Sequence, residues 1–132
     1  MYRRDLLTAE IQKLAQALAK IMGLKQEGKL EEADNGIDVM LEHDFGILYS
    51  DLLASSHEDF TAFLTEKDFP AEKLDIFSQL LYLKFNPSTV TDENTSVAQK
   101  LQLIYQILEV KHHVINMISI GRQKSVVQYL NS

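Results

Sequence analysis

The sequence predicts an all-α fold, and three observations carry that prediction. Apolar residues recur at steps of three and four along most of the 132-residue chain, the spacing of one helix face. Only five glycines and two prolines punctuate it, so long periodic stretches run unbroken. No segment alternates apolar and polar residues as a half-buried strand does. The one β-branched-rich stretch, Val114 to Ile120, continues a helical stripe and has no partner run. The length fits a single domain over residues 1–132, expected as a compact bundle of about five to seven helices.

The first helix is read from Leu7, Ile11, Leu14, Leu18 and Ile21, with Ala9, Ala15, Ala17 and Ala19 between them. It should end near Gln26, because Gly28 supplies the permissive backbone that a helix exit needs. Leu30, Ala33, Ile37, Met40 or Leu41, and Phe45 mark a second helix. Gly36 inside it costs about 1 kcal/mol relative to alanine, so close packing is its expected reason.

Tyr49 to Leu53 fits a short helical stretch. Ser56 is an N-cap candidate, with Asp59 three residues on in place of the usual Glu or Gln of a capping box. Phe60, Phe63 and Leu64 would be that helix's buried face. Pro70 suits either the first helical position or the cap before it. In the second case Phe69 and Leu74 form a hydrophobic staple. Ile76, Phe77, Leu80, Leu81, Tyr82, Leu83 and Phe85 are apolar almost all round, as in a helix buried on most sides.

Asn86-Pro87 stops that helix and opens a polar loop over 86–96, whose run Ser88 to Ser96 ends in candidate N-caps. The longest helical pattern then follows: Val97, Leu101, Ile104, Leu108, Ile115 and Ile118, widened by Leu103, Ile107, Val110 and Val114. Gly121 is expected to interrupt it. Val126, Val127 and Leu130 would form a short last helix.

Composition narrows the function classes. An apolar fraction of 45% with 24% charged residues is ordinary for a soluble globular protein. With no cysteine, the chain has no disulfide, thiolate metal site or cysteine nucleophile, which fits a reducing compartment. The N-terminus enters an amphipathic pattern instead of a signal-peptide core, and no run approaches the roughly 20 apolar residues of a membrane span. The expected setting is the cytoplasm, away from the membrane.

Charge is segregated along the chain. Residues 1–26 are net +3, 27–68 net −10, 69–95 net −2 and 96–132 net +3. Two basic terminal regions thus flank an acidic middle. Opposite signs placed near one another keep the surface soluble. An acidic face offered to a basic partner is the functional alternative. Nucleic acid is not an expected partner, since no basic cluster carries interleaved aromatics.

No catalytic pattern in the sequence is complete. Glu109-Val-Lys-His112 is a Glu-x-x-His step, but a di-iron site needs two such steps and two further carboxylates. Glu109 and His113, four apart, read as an ordinary intrahelical pair. Neither His57-Glu58-Asp59 nor Glu42-His43-Asp44 has a partnered nucleophile, and the glycines are too scattered for a phosphate loop. The expectation is a non-enzyme with no metal and no cofactor. Phe45, Tyr49, Phe60, Phe63, Phe69, Phe77, Tyr82 and Phe85 read as core, the alternative being that some line a groove for a partner helix or peptide.

The pattern Gly28-x-Leu30-x-x-Ala33-x-x-x-Ile37-x-x-Met40-Leu41 resembles the second half of a tetratricopeptide repeat, over about residues 17–45. It departs from the family in three ways: the first helix lacks the favoured aromatic, Met40 replaces a small residue, and no proline closes the unit. A second copy, read at Gly121-x-x-x-x-Val126-x-x-x-Leu130, lacks the apolar residue two past glycine. Solenoids need about three stacked units, so one unit implies a repeat-like antiparallel hairpin at the N-terminus of a bundle. The opening Tyr2-Arg3-Arg4-Asp5-Leu6-Leu7, with Ile11, Leu14 and the Gly28 hairpin, also resembles a group of small uncharacterised bacterial helical proteins.

In tetratricopeptide repeats the first helix lines the binding face, which by motif alignment includes Leu18, Met22 and Lys25 here. Leu18 belongs to the long apolar stripe, so Met22 and Lys25 are the partner-binding candidates. The expected function is a helical module that binds a protein partner or a second copy of itself as a homodimer. Its support is the two wide apolar faces, Asp75–Phe85 and Val97–Ile118, which a domain this small can hardly cover completely. The alternative is a small-molecule-binding or catalytic helical domain. Its pocket would lie between the last long helix and the aromatic middle, near His112 or His113.

Overall fold

The structure, a computed structural model, describes residues 2–114 and 117–132, with side chains from residue 6 onward. Every regular element among them is helical: α1 (Tyr2–Gln26), α2 (Leu30–Phe45), α3 (Tyr49–Ala54), α4 (His57–Lys67), α5 (Ala71–Tyr82), α6 (Asp92–Val110) and α7 (Met117–Leu130). The all-α expectation and the helix count both hold. Among the described residues no helix is long and apolar enough to cross a membrane. The packing divides the chain into two compact units, Met1–Tyr49 and Ser50–Ser132. The side chains of Arg3, Arg4 and Asp5, and all of Ile115, lie outside the described residues.

In the first unit α2 packs against α1 across a three-residue turn. Gly28 takes φ +80, a left-handed conformation that a Cβ would strain. That geometry lets the Gly28 N–H donate to the Lys25 carbonyl at 3.1 Å and the Lys29 N–H to the Leu24 carbonyl at 2.9 Å. These two bonds form a Schellman motif that satisfies the end of α1. Gly46, at φ +74, ends α2 with a different pattern: its N–H donates to the Leu41 carbonyl, which the Ile47 N–H also reaches at 3.1 Å. Gly36 has the packing reason expected of it: a Cβ there would stand 3.0 Å from Ile21 Cγ1.

The second unit is built on α6, which packs against α4, α5 and α7. Ser56 caps α4 by accepting the Asp59 N–H at 3.0 Å. Pro70 is the N-cap of α5, which puts Phe69 and Leu74, both buried, at the two staple positions. Phe60, Phe63, Phe69 and Phe77 close a ring of aromatic contacts, with centroids between 5.9 and 6.2 Å apart. Edge and offset contacts of this kind add to what burial already contributes. Phe85 extends the aromatic core to Tyr82 and to Tyr129 of α7.

Four boundaries differ from expectation. The helix expected to run to Asn86-Pro87 ends at Tyr82, where the Leu83, Lys84 and Phe85 N–H groups each donate to a carbonyl three residues back. The polar loop ends at Thr91, because Thr91 accepts the Asn94 N–H at 3.1 Å and caps α6. Asp92 and Glu93 then sit in the first turn, where the helix dipole favours acids. The helical pattern expected from Val97 to Ile118 also breaks, after Val110. His113 adopts φ +57 and the Val114 N–H reaches back to the Leu108 carbonyl at 2.9 Å. Gly121, expected as the interruption, lies inside α7 with open space around it. It therefore makes no inter-helix turn, and the second repeat copy read there falls.

Asn94, 5% exposed, organises the loop that precedes α6. Its Oδ1 accepts the Asn86 N–H at 2.9 Å, and its Nδ2 donates to the Asn86 carbonyl at 2.6 Å and the Thr89 carbonyl at 2.7 Å. Replacing Asn94 by alanine strands those groups and should cost about 2 kcal/mol or more in urea unfolding. Asn94→Asp should cost more than Asn94→Ala, because it sets a carboxylate against two carbonyls.

Lys100, 3% exposed, donates from Nζ to the Ser55 carbonyl and, at 3.1 Å, to Ser96 Oγ. Burial lowers its pKa below the usual lysine value. Between that lowered value and the unfolded one, the unfolded chain binds more protons, so this group adds stability as pH rises. Comparing wild type with Lys100→Met between pH 8 and pH 10.5 should show the difference moving toward wild type. A pH-independent difference would contradict it.

Candidate functional site

Two concavities stand out, one in each unit. In the first, α1 contributes Ala17, Lys20, Ile21 and Leu24, spaced at three and four so that they share one face. From α2, Glu32, Asn35, Gly36, Val39, Met40 and His43 form the facing stripe, with Asp44 at the end. Together they bound a groove of about 710 Å³. Its floor is Ile21 and Met40, both buried, where the missing Cβ of Gly36 lets the helices meet closely. Val39, 64% exposed, projects from one wall. Glu32 and Asp44 give this wall an acidic rim, and α2 carries no lysine or arginine at all.

The second concavity is a cleft of about 310 Å³ formed by α5, α6 and α7. Asp75, Ser78 and Gln79 come from α5, Tyr105 from α6, and Met117, Ile118, Ser119 and Arg122 from α7. Tyr105 is 3% exposed, and its hydroxyl has no hydrogen-bond partner among the described residues. Burial raises its pKa, Arg122 opposes that rise, and Tyr82 and Asp75 add to it. The hydroxyl therefore stays protonated at neutral pH and remains a donor.

Around it the other polar groups are fixed. Ser78 Oγ donates to the Asp75 carbonyl at 2.6 Å, and Gln79 Nε2 donates to Asp75 Oδ2 at 2.9 Å. The Arg122 guanidinium lies 4.9 Å from the centre of the Tyr82 ring. Stacked there, it is held by cation–π attraction, and among the described residues no carboxylate pairs with it.

The residues singled out from sequence are placed elsewhere. Leu18 is buried, Met22 is half-buried and Lys25 is exposed; none of the three lines the groove. The groove uses the adjacent stripe of α1. His112 and His113 lie beyond the end of α6, in the turn, so Glu109 and the histidines do not share a helix. Among the described residues no group of three or more acids and histidines is placed to hold a metal ion.

The two wide apolar faces are covered after all. Leu74, Ile76, Phe77, Leu80, Leu81 and Phe85 are buried, as are Val97, Leu101, Leu103, Ile104 and Leu108. Among the described large apolar residues of these faces, only Val110, Met117 and Ile118, at and beyond the end of α6, remain exposed. The support those faces gave to a binding role is withdrawn, because α6 sits among three helices. Tyr105, Asp75, Ser78 and Arg122 were not singled out at all. The one signal for them is the polar tip that Tyr105 puts into the stripe Leu101, Ile104, Leu108. Comparison with family models, curated proteins and solved structures returns no match for this chain.

Proposed function

We propose that this is a non-enzymatic protein-interaction module, and that its first unit receives an amphipathic helix in the α1–α2 groove. The observation that carries the proposal is the groove itself: an apolar trough of about 710 Å³ with exposed Val39 on its wall. Helix-in-groove recognition needs an apolar channel that accepts side chains at helical spacing, and charges at the rim that set orientation. Glu32 and Asp44 supply the rim, and the acidic α2 selects a partner with basic flanks. The occupant is therefore a helix with an apolar stripe and lysines or arginines beside it, carried by another protein. The tight Gly28 turn and the Gly36 approach support taking the hairpin as a single tetratricopeptide-like unit. A cytoplasmic setting suits the cysteine-free composition.

A synthetic amphipathic helix of leucine and lysine, with a leucine–glutamate version as control, tests the proposal by fluorescence anisotropy. The basic helix should bind and the acidic one should not. Val39→Glu should weaken binding by about tenfold or more, because a charge is buried against the partner's apolar face. Val39 is exposed, so the variant's stability should stay within about 0.5 kcal/mol of wild type. Charge attraction alone would leave Val39→Glu binding as well or better, and that result would sink the groove. A homodimer in light scattering that excludes the peptide would overturn the assignment to another protein.

A further inference from the structure

The α5–α6–α7 cleft carries an inference independent of the groove. Its volume of about 310 Å³ lies at the small end of ligand pockets, so its occupant has few heavy atoms. Its polar groups come in opposite signs that do not cancel. Arg122 and Asp75 both line the cleft, yet among the described residues they form no ion pair. A simple anion would face Asp75, and a simple cation would face Arg122. A molecule bearing both charges meets each with its opposite.

The remaining groups fit the same occupant. Tyr105 offers a buried hydroxyl with no partner among the described residues, and an unmade bond of that kind is expensive to keep. Ser78 spends its own proton on the Asp75 carbonyl, which leaves its oxygen to accept. Gln79 holds one oxygen of Asp75 and leaves the carboxylate otherwise open. Met117 and Ile118, both exposed, give the mouth an apolar lip.

We propose that this cleft binds a small zwitterion, an α-amino acid with an apolar side chain. Its carboxylate accepts from Arg122 and the Tyr105 hydroxyl. Its ammonium donates to Asp75 and Ser78, and its side chain lies against Met117 and Ile118. Arg122 suits a carboxylate because its planar fork donates two parallel bonds.

Nuclear magnetic resonance titration of the full chain tests this, with L-leucine, L-methionine and L-phenylalanine as probes in turn. At least one should shift the amide resonances around Tyr105 and Arg122. Isocaproate, which lacks the ammonium, and isoamylamine, which lacks the carboxylate, should each bind about tenfold more weakly than leucine. Tyr105→Phe should lose about tenfold in affinity, yet melt no lower than wild type without ligand, since it removes a hydroxyl with no partner among the described residues. Three silent amino acids would overturn the proposal, as would isocaproate binding as tightly as leucine. A lower melting temperature for Tyr105→Phe would also overturn it, by showing that the hydroxyl has a partner within the protein.

Discussion

The groove in the first unit depends on one approach, the meeting of α1 and α2 at Gly36. Ile21 stands tightly against the space that a side chain on Gly36 would take, with its Cγ1 only 3.0 Å from that Cβ position. Glycine in a helix interior is unfavourable by about 1 kcal/mol, so its presence in α2 works against local helix stability. Close packing offsets that cost by letting Ile21 and Met40 form a continuous apolar floor. Bulkier residues at position 36 would push the helices apart and open the floor. The Gly28 turn sets the direction in which α2 leaves α1, and the Gly36 contact fixes how near the two helices lie.

The second unit shows a consistent treatment of buried polar groups, with one exception. Asn94 uses both its acceptor and its donors on the loop backbone, and Lys100 uses its ammonium on Ser55 and Ser96. Ser96 in turn donates to the Leu53 carbonyl at 2.8 Å, so this network ties the end of α3 to α6. Against that background the Tyr105 hydroxyl, without a partner among the described residues, is out of character. A buried polar group without a partner costs stability, which makes its place on a cleft wall beside Arg122 and Asp75 informative.

Much of the fold was legible in the sequence wherever helical period and cap chemistry agreed. Ser56 and Pro70 marked helix starts because their side chains or ring act locally. The start of α6 was hidden, since Asp92, Glu93 and Asn94 resemble loop residues until Thr91 is seen to cap them. The break at His113 was also hidden, because no glycine or proline announces a left-handed turn there. Gly121 misled for the opposite reason: a solvent-facing glycine inside a helix needs no break. Gly36 pointed to the groove through its packing role, whereas the partner-face candidates Met22 and Lys25 lie on the neighbouring stripe. The cleft was not legible. Its residues come from three helices and converge only through the packing around α6.

The role of the Gly36 contact is tested most directly by alanine substitution at two helical glycines, read by thermal or urea unfolding. Gly23 lies in α1 with open space around its Cβ position, so Gly23→Ala should gain about 1 kcal/mol from helix propensity alone. Gly36→Ala receives the same propensity gain but forces its methyl onto Ile21, where overpacking costs roughly 1–3 kcal/mol. Gly23→Ala should therefore stabilise the protein and Gly36→Ala should destabilise it. Equal stabilisation by both would mean that Ile21 swings aside freely, and that the approach of α1 to α2 does not depend on the missing side chain.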